Sequence, residues 1–395
     1  MKYAIVIPDV AADVALEELG GRTPLEAAEI PHMDRLSAEG KLGTVRTVPA
    51  DMDPGSDVAI LSVLGYDPRK HYSGRAPLEA AARGLELRPD EWVFRCNLVT
   101  IIDGVMEDHS AGHITTEEGA ALIGELNRLL GGERVRFHAG VSYRHLVTLA
   151  GETGATTTPP HNILGEPVAP YLPRGPGGEM LATLIASSAG ILAEHEINQV
   201  LRDLGENPAT HVWFWGGGQT PELAAFADRF GLRGAAVTAV DLIRGLSALI
   251  GWDRIEVAGA TGFLDTNFAG KGAAAVEALA DHDLVFVHVE APDEAGHQAD
   301  AAGKVQALEQ IDRHIVGPLL AHLAGGGDDW RMMVLPDHPT PCTLRTHTGD
   351  PVPFAIAGAN VPSVVHRPFT EAAAEEADLH IERGWELMEY FLRAG

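Results

Sequence analysis

Lysine is scarce in this chain. Only five occur among 395 residues (Lys2, Lys41, Lys70, Lys271 and Lys304), and all Lys and Arg together number 29 against 56 Asp and Glu. The formal net charge of −27 excludes nucleic acid and anionic membrane surfaces as general partners, because both would repel it. Cysteine is scarcer still: Cys96 and Cys342 form no CxxC and no metal-spaced set. Such a pair argues against a disulfide framework and for a reducing cytoplasm. Long apolar runs are missing too. No stretch reaches the ~18 apolar residues of a membrane span, and the AIVIP run after Met1-Lys2-Tyr3 is too short for a signal-peptide core.

What is present is an ordinary core. The hydrophobic fraction of 45% rules out disorder for the bulk of the chain. The length suits roughly two to three domains, or one large domain with an insertion. A site for an anion in so acidic a protein must gather the few cations, and the planar fork of Arg suits phosphate or carboxylate.

Periodicity supplies the elements. Residues 3–8 read as a short strand buried on both faces, and further strands are predicted at 93–101, 135–150, 211–215, 284–290 and 332–336. Helices are predicted at 23–40, 57–65, 116–130, 179–204, 221–230, 239–250, 271–280, 301–323 and 371–393. The Ala/Gly tracts at 233–236 and 272–275 read as compositional bias. Strand and helix alternate in the first and last portions, which predicts an α/β fold with a parallel-rich sheet flanked by helices. The middle does not follow that alternation. The expectation is a discontinuous domain of residues 1–84 and 206–395, with a smaller α+β domain inserted at 85–205.

Four places put ligand-type side chains just after a strand or at a helix start, where open α/β sheets collect their ligands. Asp9 ends the AIVIP strand, and taken alone it reads equally as a turn residue. Ser56 in PGSDVA reads as a helix N-cap, a position whose positive field also suits a phosphate. Asp293 and His297 in APDEAGH are spaced i, i+4, so one helical turn points both the same way. His288 and Glu290 share one face of the preceding strand. Asp337-His338 follows MMVLP, with His347 on the next loop. Burying an adjacent Asp-His pair is costly without a metal or partners. Three Asp, three His and one Ser suffice for two divalent ions, Mn²⁺ or Zn²⁺ by donor type. Two ions about 3.5–4 Å apart can clamp a phosphoryl group, and an activated serine can accept it.

Here the chain resembles the archaeal-type cofactor-independent phosphoglycerate mutases, members of the alkaline-phosphatase-like superfamily of metalloenzymes. The resemblance rests on Asp9, PGSDVA at 54–59, HVEAPDEAGH at 288–297, LPDHPT at 335–340 and RTHTGDPVPF at 345–354. It continues through LGYDP at 64–68, GRAPLEAA at 74–81, FRCNLVT at 94–100, SAGHITTEE at 110–118, VSYRHL at 141–146 and GATGFLDTNFAGK at 259–271. It implies an alkaline-phosphatase-like core with the insertion as a closing cap that excludes water. It implies one metal on Asp9, Ser56, Asp337 and His338, and a second on Asp293, His297 and His347, with Mn²⁺ usual and Zn²⁺, Mg²⁺ or Co²⁺ as alternatives. Ser56 would carry the phosphoryl group between the 3- and 2-hydroxyls of glycerate. Lys271 is the expected phosphate partner. Arg75 before the insertion, and Arg95, His113 and Arg144 within it, are expected to meet the rest of the substrate, with His109 as a second candidate beside His113.

Two departures from that family's pattern lie near the expected site. Val10 stands where Gly is usual, and Ala76 replaces a Gly in SGRAPLEA. Similar bacterial chains have been proposed as homoserine kinases, which makes a related phosphotransferase the alternative reading. No GxxxxGK[ST] loop is present, but a phosphatase-type site needs none to use ATP. A phosphomonoesterase or sulfatase would need an open site, and a non-catalytic metal protein would leave the complete ligand set without a purpose.

Overall fold

In a computed structural model, residues 1–151, 153–327, 329–363 and 366–393 are described. Thirteen strands run in chain order among them: β1 (Lys2–Pro8), β2 (Lys41–Val45), β3 (Glu91–Ile102), β4 (Val105–Asp108), β5 (Val135–Val141), β6 (Arg144–Ala150), β7 (His211–Gly218), β8 (Gly234–Val237), β9 (Asp253–Ile255), β10 (Leu284–Val289), β11 (Trp330–Val334), β12 (Val352–Gly358) and β13 (His380–Ile381). The chain divides into two compact units, one of residues 1–72 and 222–395 and one of 73–221.

The first unit holds an eight-stranded sheet of order β13-β2-β12-β11-β1-β10-β8-β9. The strands β11, β1, β10, β8 and β9 are mutually parallel, whereas β12 runs antiparallel to both β11 and β2. The apolar run of β1 fits its place between β10 and β11, since both faces are covered. Ala4 and Val6 pack with Met33, Leu36, Ile315 and Leu319 on one face. On the other, Tyr3 meets Phe391 edge to face at 5.6 Å. Of the tract at 233–236, read above as compositional bias, residues 234–236 belong to β8. Its small residues have a steric reason: a Cβ on Gly234 would lie 2.3 Å from the Trp252 ring.

Several predicted helices are interrupted. The span 23–40 is two helices, Pro24–Ala27 and Pro31–Glu39, because Pro31 has no N–H to continue the first. The span 301–323 contains a π turn, Asp312–Val316, between Ala301–Ile311 and Gly317–Gly325. Only Phe226–Phe230 is helical within 221–230, and 371–393 breaks into Glu371–Glu375, β13 and Leu387–Arg393. No described helix is long and apolar enough to cross a membrane.

The second unit is an antiparallel sheet in which β3 pairs β4, β6 and β7, and β6 pairs β5. The predicted 135–150 strand is thus a hairpin, turning at Ser142 with φ 54°. The helix Thr116–Leu130 matches its predicted span because a Thr115–Glu118 capping box starts it and Gly131 ends it. This unit begins before residue 85 and ends after residue 205. The helix Arg75–Ala82 packs on β3 and β7, and β7 itself completes the sheet. Both cysteines are buried and free.

Candidate metal and phosphoryl-transfer site

Strand order builds the site. Because β11, β1 and β10 are parallel neighbours, the segments leaving their carboxyl ends emerge side by side. Asp9 follows β1, Asp337 and His338 follow β11, and Glu290 and the helix Ala291–His297 follow β10.

Asp9, Asp337 and His338 are all buried, with one ligand atom from each lying within 4.8 Å of the others. The Val10 N–H donates to Asp337 Oδ1 at 3.0 Å, and the Thr47 hydroxyl donates to the Asp337 carbonyl. His338 Nδ1 lies 3.3 Å from the Pro339 carbonyl. A carbonyl only accepts, so Nδ1 carries the proton and Nε2 presents its lone pair. Ser56 Oγ lies 3.3 Å from that nitrogen. Ser56 is not the cap of its helix: Gly55 takes that position and Ser56 is the first helical residue, so its hydroxyl is not spent on the backbone.

Asp293, His297 and His347 form a second group of the same compactness. The helix Ala291–His297 sets His297 Nε2 3.4 Å from Asp293 Oδ1. His297 Nδ1 donates to the Arg345 carbonyl at 3.1 Å, which again leaves Nε2 bare. The His347 ring lies 4.8 Å from that of His297 and 4.5 Å from that of His338, so the two groups adjoin. Asp9, Glu290 and Asp293 also come within 4.8 Å of one another. His288, on β10, places Nε2 3.1 Å from Asp9 Oδ2.

The charges are under strain without a cation. Burial, then repulsion from Asp337 and Asp293, raises the Asp9 carboxyl well above its usual range. Burial also raises Asp293, pushes Glu290 up to about 7 and takes the His288 imidazole down to about 4. Asp337 goes the other way: burial opposes its ionisation, but His338 and the groups donating to it hold it low. Asp9 Oδ1 and Asp337 Oδ2 are buried with no hydrogen-bond partner. Two facing buried carboxylates in that state are costly, and a divalent cation satisfies both. Carboxylate oxygen together with bare imidazole nitrogen suits Mn²⁺ or Zn²⁺. The residues therefore fit metal ions.

Val10 explains one departure from the resembled family. Its φ is 58° and its side chain is fully buried. Glycine adopts that left-handed geometry freely, whereas a β-branched residue rarely does. The turn that aims the Val10 N–H at Asp337 is kept here at the expense of strain.

Lys271 is fully buried in the helix Phe268–Ala278, and its ammonium donates to the Thr261 carbonyl at 3.4 Å. Burial lowers it to about 8, and its charge acts on Glu290 and His288. Arg75, Arg95, His113 and Arg144 all lie in the other unit. Arg75 opens the helix Arg75–Ala82, so it belongs to the insertion and does not precede it. Arg95 sits 3.0 Å from Glu79 Oε1 with its guanidinium 4.0 Å over Trp215. Burial lowers its pKa, and the charges of Arg75 and Arg144 are near enough to lower it further. The Tyr143 ring lies 5.9 Å from His109, 6.0 Å from His113 and 5.7 Å from the Arg144 guanidinium. His161 joins this group, 6.2 Å from His109 and 5.3 Å from Trp215. Tyr143 adjoins Arg144 in VSYRHL, whereas His161 and Trp215, which no spacing links to the cations, meet this group only through the fold.

Known proteins are similar to this chain over most of its length. The model of the 2,3-bisphosphoglycerate-independent phosphoglycerate mutase family matches residues 37–198. A protein of that name from Methanothrix thermoacetophila is 47% identical over 388 residues, covering 98% of each chain. A solved structure of a Pyrococcus horikoshii protein matches with a TM-score of 0.83 at 30% identity, covering 99% of this chain and 96% of the other. The structure of a cofactor-independent phosphoglycerate mutase from Thermoplasma acidophilum matches with a TM-score of 0.71 at 26% identity, covering all of both chains.

Proposed function

The chain belongs to the 2,3-bisphosphoglycerate-independent phosphoglycerate mutase family, and from that premise we propose that it interconverts 3-phosphoglycerate and 2-phosphoglycerate through a phosphoserine at Ser56. The observation that carries the mechanism is the placement of Ser56 Oγ, 3.3 Å from His338 Nε2 and beside two adjoining groups of metal-ligand side chains. Asp9, Asp337, His338 and Ser56 would hold one ion and Asp293, His297 and His347 the other. When bound, two divalent ions supply charge neutralisation on the phosphoryl oxygens and lower the pKa of the attacking hydroxyl.

The protein's own groups do the rest. Ser56 starts the helix Ser56–Val63, where backbone N–H groups and the helix dipole favour an incoming phosphate. Its Oγ forms the bond to phosphorus as the bond to the glycerate 3-oxygen breaks, and the serine proton passes to that oxygen. The 2-hydroxyl then attacks the same phosphorus, the Oγ–P bond breaks and the proton returns. Atoms balance with no bisphosphoglycerate and no nucleotide. Lys271, lowered to about 8 by burial and still mostly protonated at neutral pH, is suited to the phosphate. The cluster of Arg75, Arg95, Arg144 and His113 is suited to an anionic ligand. Two buried free thiols suit a reducing cytoplasm.

The test supplies purified protein with Mn²⁺ and 3-phosphoglycerate and follows 2-phosphoglycerate without added bisphosphoglycerate. Homoserine with ATP is run in parallel. We expect 2-phosphoglycerate to form and phosphohomoserine not to. Ser56→Ala should cut the mutase rate roughly a thousand-fold or more, since it removes the attacking oxygen. A full rate in Ser56→Ala would remove the phosphoserine route, and ATP-dependent phosphohomoserine alone would remove the mutase assignment.

A further inference from the structure

Thr340 is fully buried, two residues beyond His338, and has had no part in the chemistry so far. Its side chain and its carbonyl are both engaged. The hydroxyl donates to Asp293 Oδ1 at 3.2 Å and lies 2.7 Å from His347 Nδ1. A hydroxyl has one proton, and a carboxylate can only accept. With that proton on Asp293, the bond to His347 runs the other way, from Nδ1–H to the Thr340 oxygen. His347 is thereby locked in the tautomer that carries hydrogen on Nδ1 and presents Nε2. One hydroxyl so orients two side chains of the second ligand group together.

The Thr340 backbone is held independently. Lys304, one of the five lysines, is fully buried, and its ammonium donates to Asp13 Oδ2 at 2.8 Å, Thr340 O at 3.1 Å and Ala12 O at 3.4 Å. All three of its protons are spent. Asp13 Oδ2 accepts in turn from the Cys342 N–H at 3.1 Å. This buried pair ties the segment after Asp9 to the segment after His338. A buried ion pair gains little net stability against an apolar replacement, so register is the better account of its use. Gly296, on the helix that bears Asp293 and His297, allows the close approach, since a Cβ there would lie 2.9 Å from Thr340 O.

We propose that Thr340 is a positioning residue for the second metal ion: its hydroxyl fixes the His347 tautomer and the Asp293 carboxylate, and the Lys304–Asp13 clamp fixes Thr340. The proposal rests on the reading of Asp293, His297 and His347 as ligands. Outer partners of this kind are typically worth 10- to 100-fold in metal affinity.

Calorimetric titration of metal-stripped protein with Mn²⁺ alone provides the test. Wild type should take up two ions. Thr340→Val keeps the shape and removes the hydroxyl. It should weaken one ion by roughly 10- to 100-fold and leave the other unchanged, while Thr340→Ser should restore both. Should Thr340→Val fail to fold, Thr340→Ala carries the same expectation. An unchanged two-ion isotherm in Thr340→Val overturns the proposal, as does a Thr340→Ser variant as weak as the valine one, because loss of packing would then account for the change. Equal weakening of both ions also overturns it. A wild type that binds fewer than two ions overturns the ligand reading itself, and this inference with it.

Discussion

His145 accepts from the Gly140 N–H through Nδ1 at 2.9 Å, while its Nε2 is buried without a hydrogen-bond partner. Burial, reinforced by the nearby Arg83 charge, pushes this imidazole from 6.5 down to about 3. The folded state therefore binds fewer protons than the unfolded one between those values. The stability associated with neutral His145 is complete above pH 6.5 and is lost as pH falls toward 3. At about 1.4 kcal/mol per pKa unit the loss reaches a few kcal/mol. His145→Gln should flatten the acid side of the stability profile, measured by urea unfolding from neutral pH downward. An unaltered slope would count against this histidine. Val10 illustrates a different limit at this scale. Its identity is plain in the sequence, but its left-handed backbone is not, because the turn is imposed by Asp337, which lies far along the chain.

Some helix ends follow local signals and others follow tertiary packing, and the break inside 23–40 was a local one, at Pro31, that the apolar periodicity masked. The helix Thr116–Leu130 keeps its predicted span because its ends are fixed locally, by the Thr115–Glu118 capping box and by Gly131. The π turn at Asp312–Val316 had no such signal. It lies where the helix Phe268–Ala278 approaches so closely that a Cβ on Gly272 would sit 1.9 Å from the His314 carbonyl. The Ala/Gly tract at 272–275, which looked like bias, is in part this contact. Gly272→Ala must push the helices apart despite its better helix propensity. A loss of about 1–3 kcal/mol is expected in chemical denaturation. Since Lys271 is the adjacent residue, its position should shift as well. A neutral or stabilising Gly272→Ala would show that the contact is loose.

For the whole molecule, the excess of acid has two meanings. Most of it accounts for the net charge of −27, but Asp9, Asp293 and Asp337 are buried or nearly so and face one another across the ends of three strands. Removing metal should therefore destabilise the protein. Each ion that binds only the folded state adds about 2.7 kcal/mol at a hundred times its Kd. Scanning calorimetry should show the melting temperature rise with Mn²⁺ and fall with a chelator. No response to either would argue that these carboxylates are held by protons alone.

Most of the candidate ligand side chains were legible one by one, because Asp9, Asp337 and His338 follow strands, Ser56 opens a helix and Asp293 and His297 share one, whereas His347 stands on a loop and was marked only by the length and order of the motifs. Their division into two groups was not a local property. It depends on β11, β1 and β10 lying side by side, and periodicity reports burial along a strand without reporting its neighbours. The cationic cluster was less legible still. The charge of Arg75 acts on Arg95 because its helix packs on the inserted sheet, and His161 and Trp215 join through ring contacts that no spacing encodes. The sequence by itself determined which chemistry was available and at which strand ends it would stand. The tertiary structure alone decided which groups meet, because hydrogen bonds and charge act over a few ångströms and only packing brings distant residues that close.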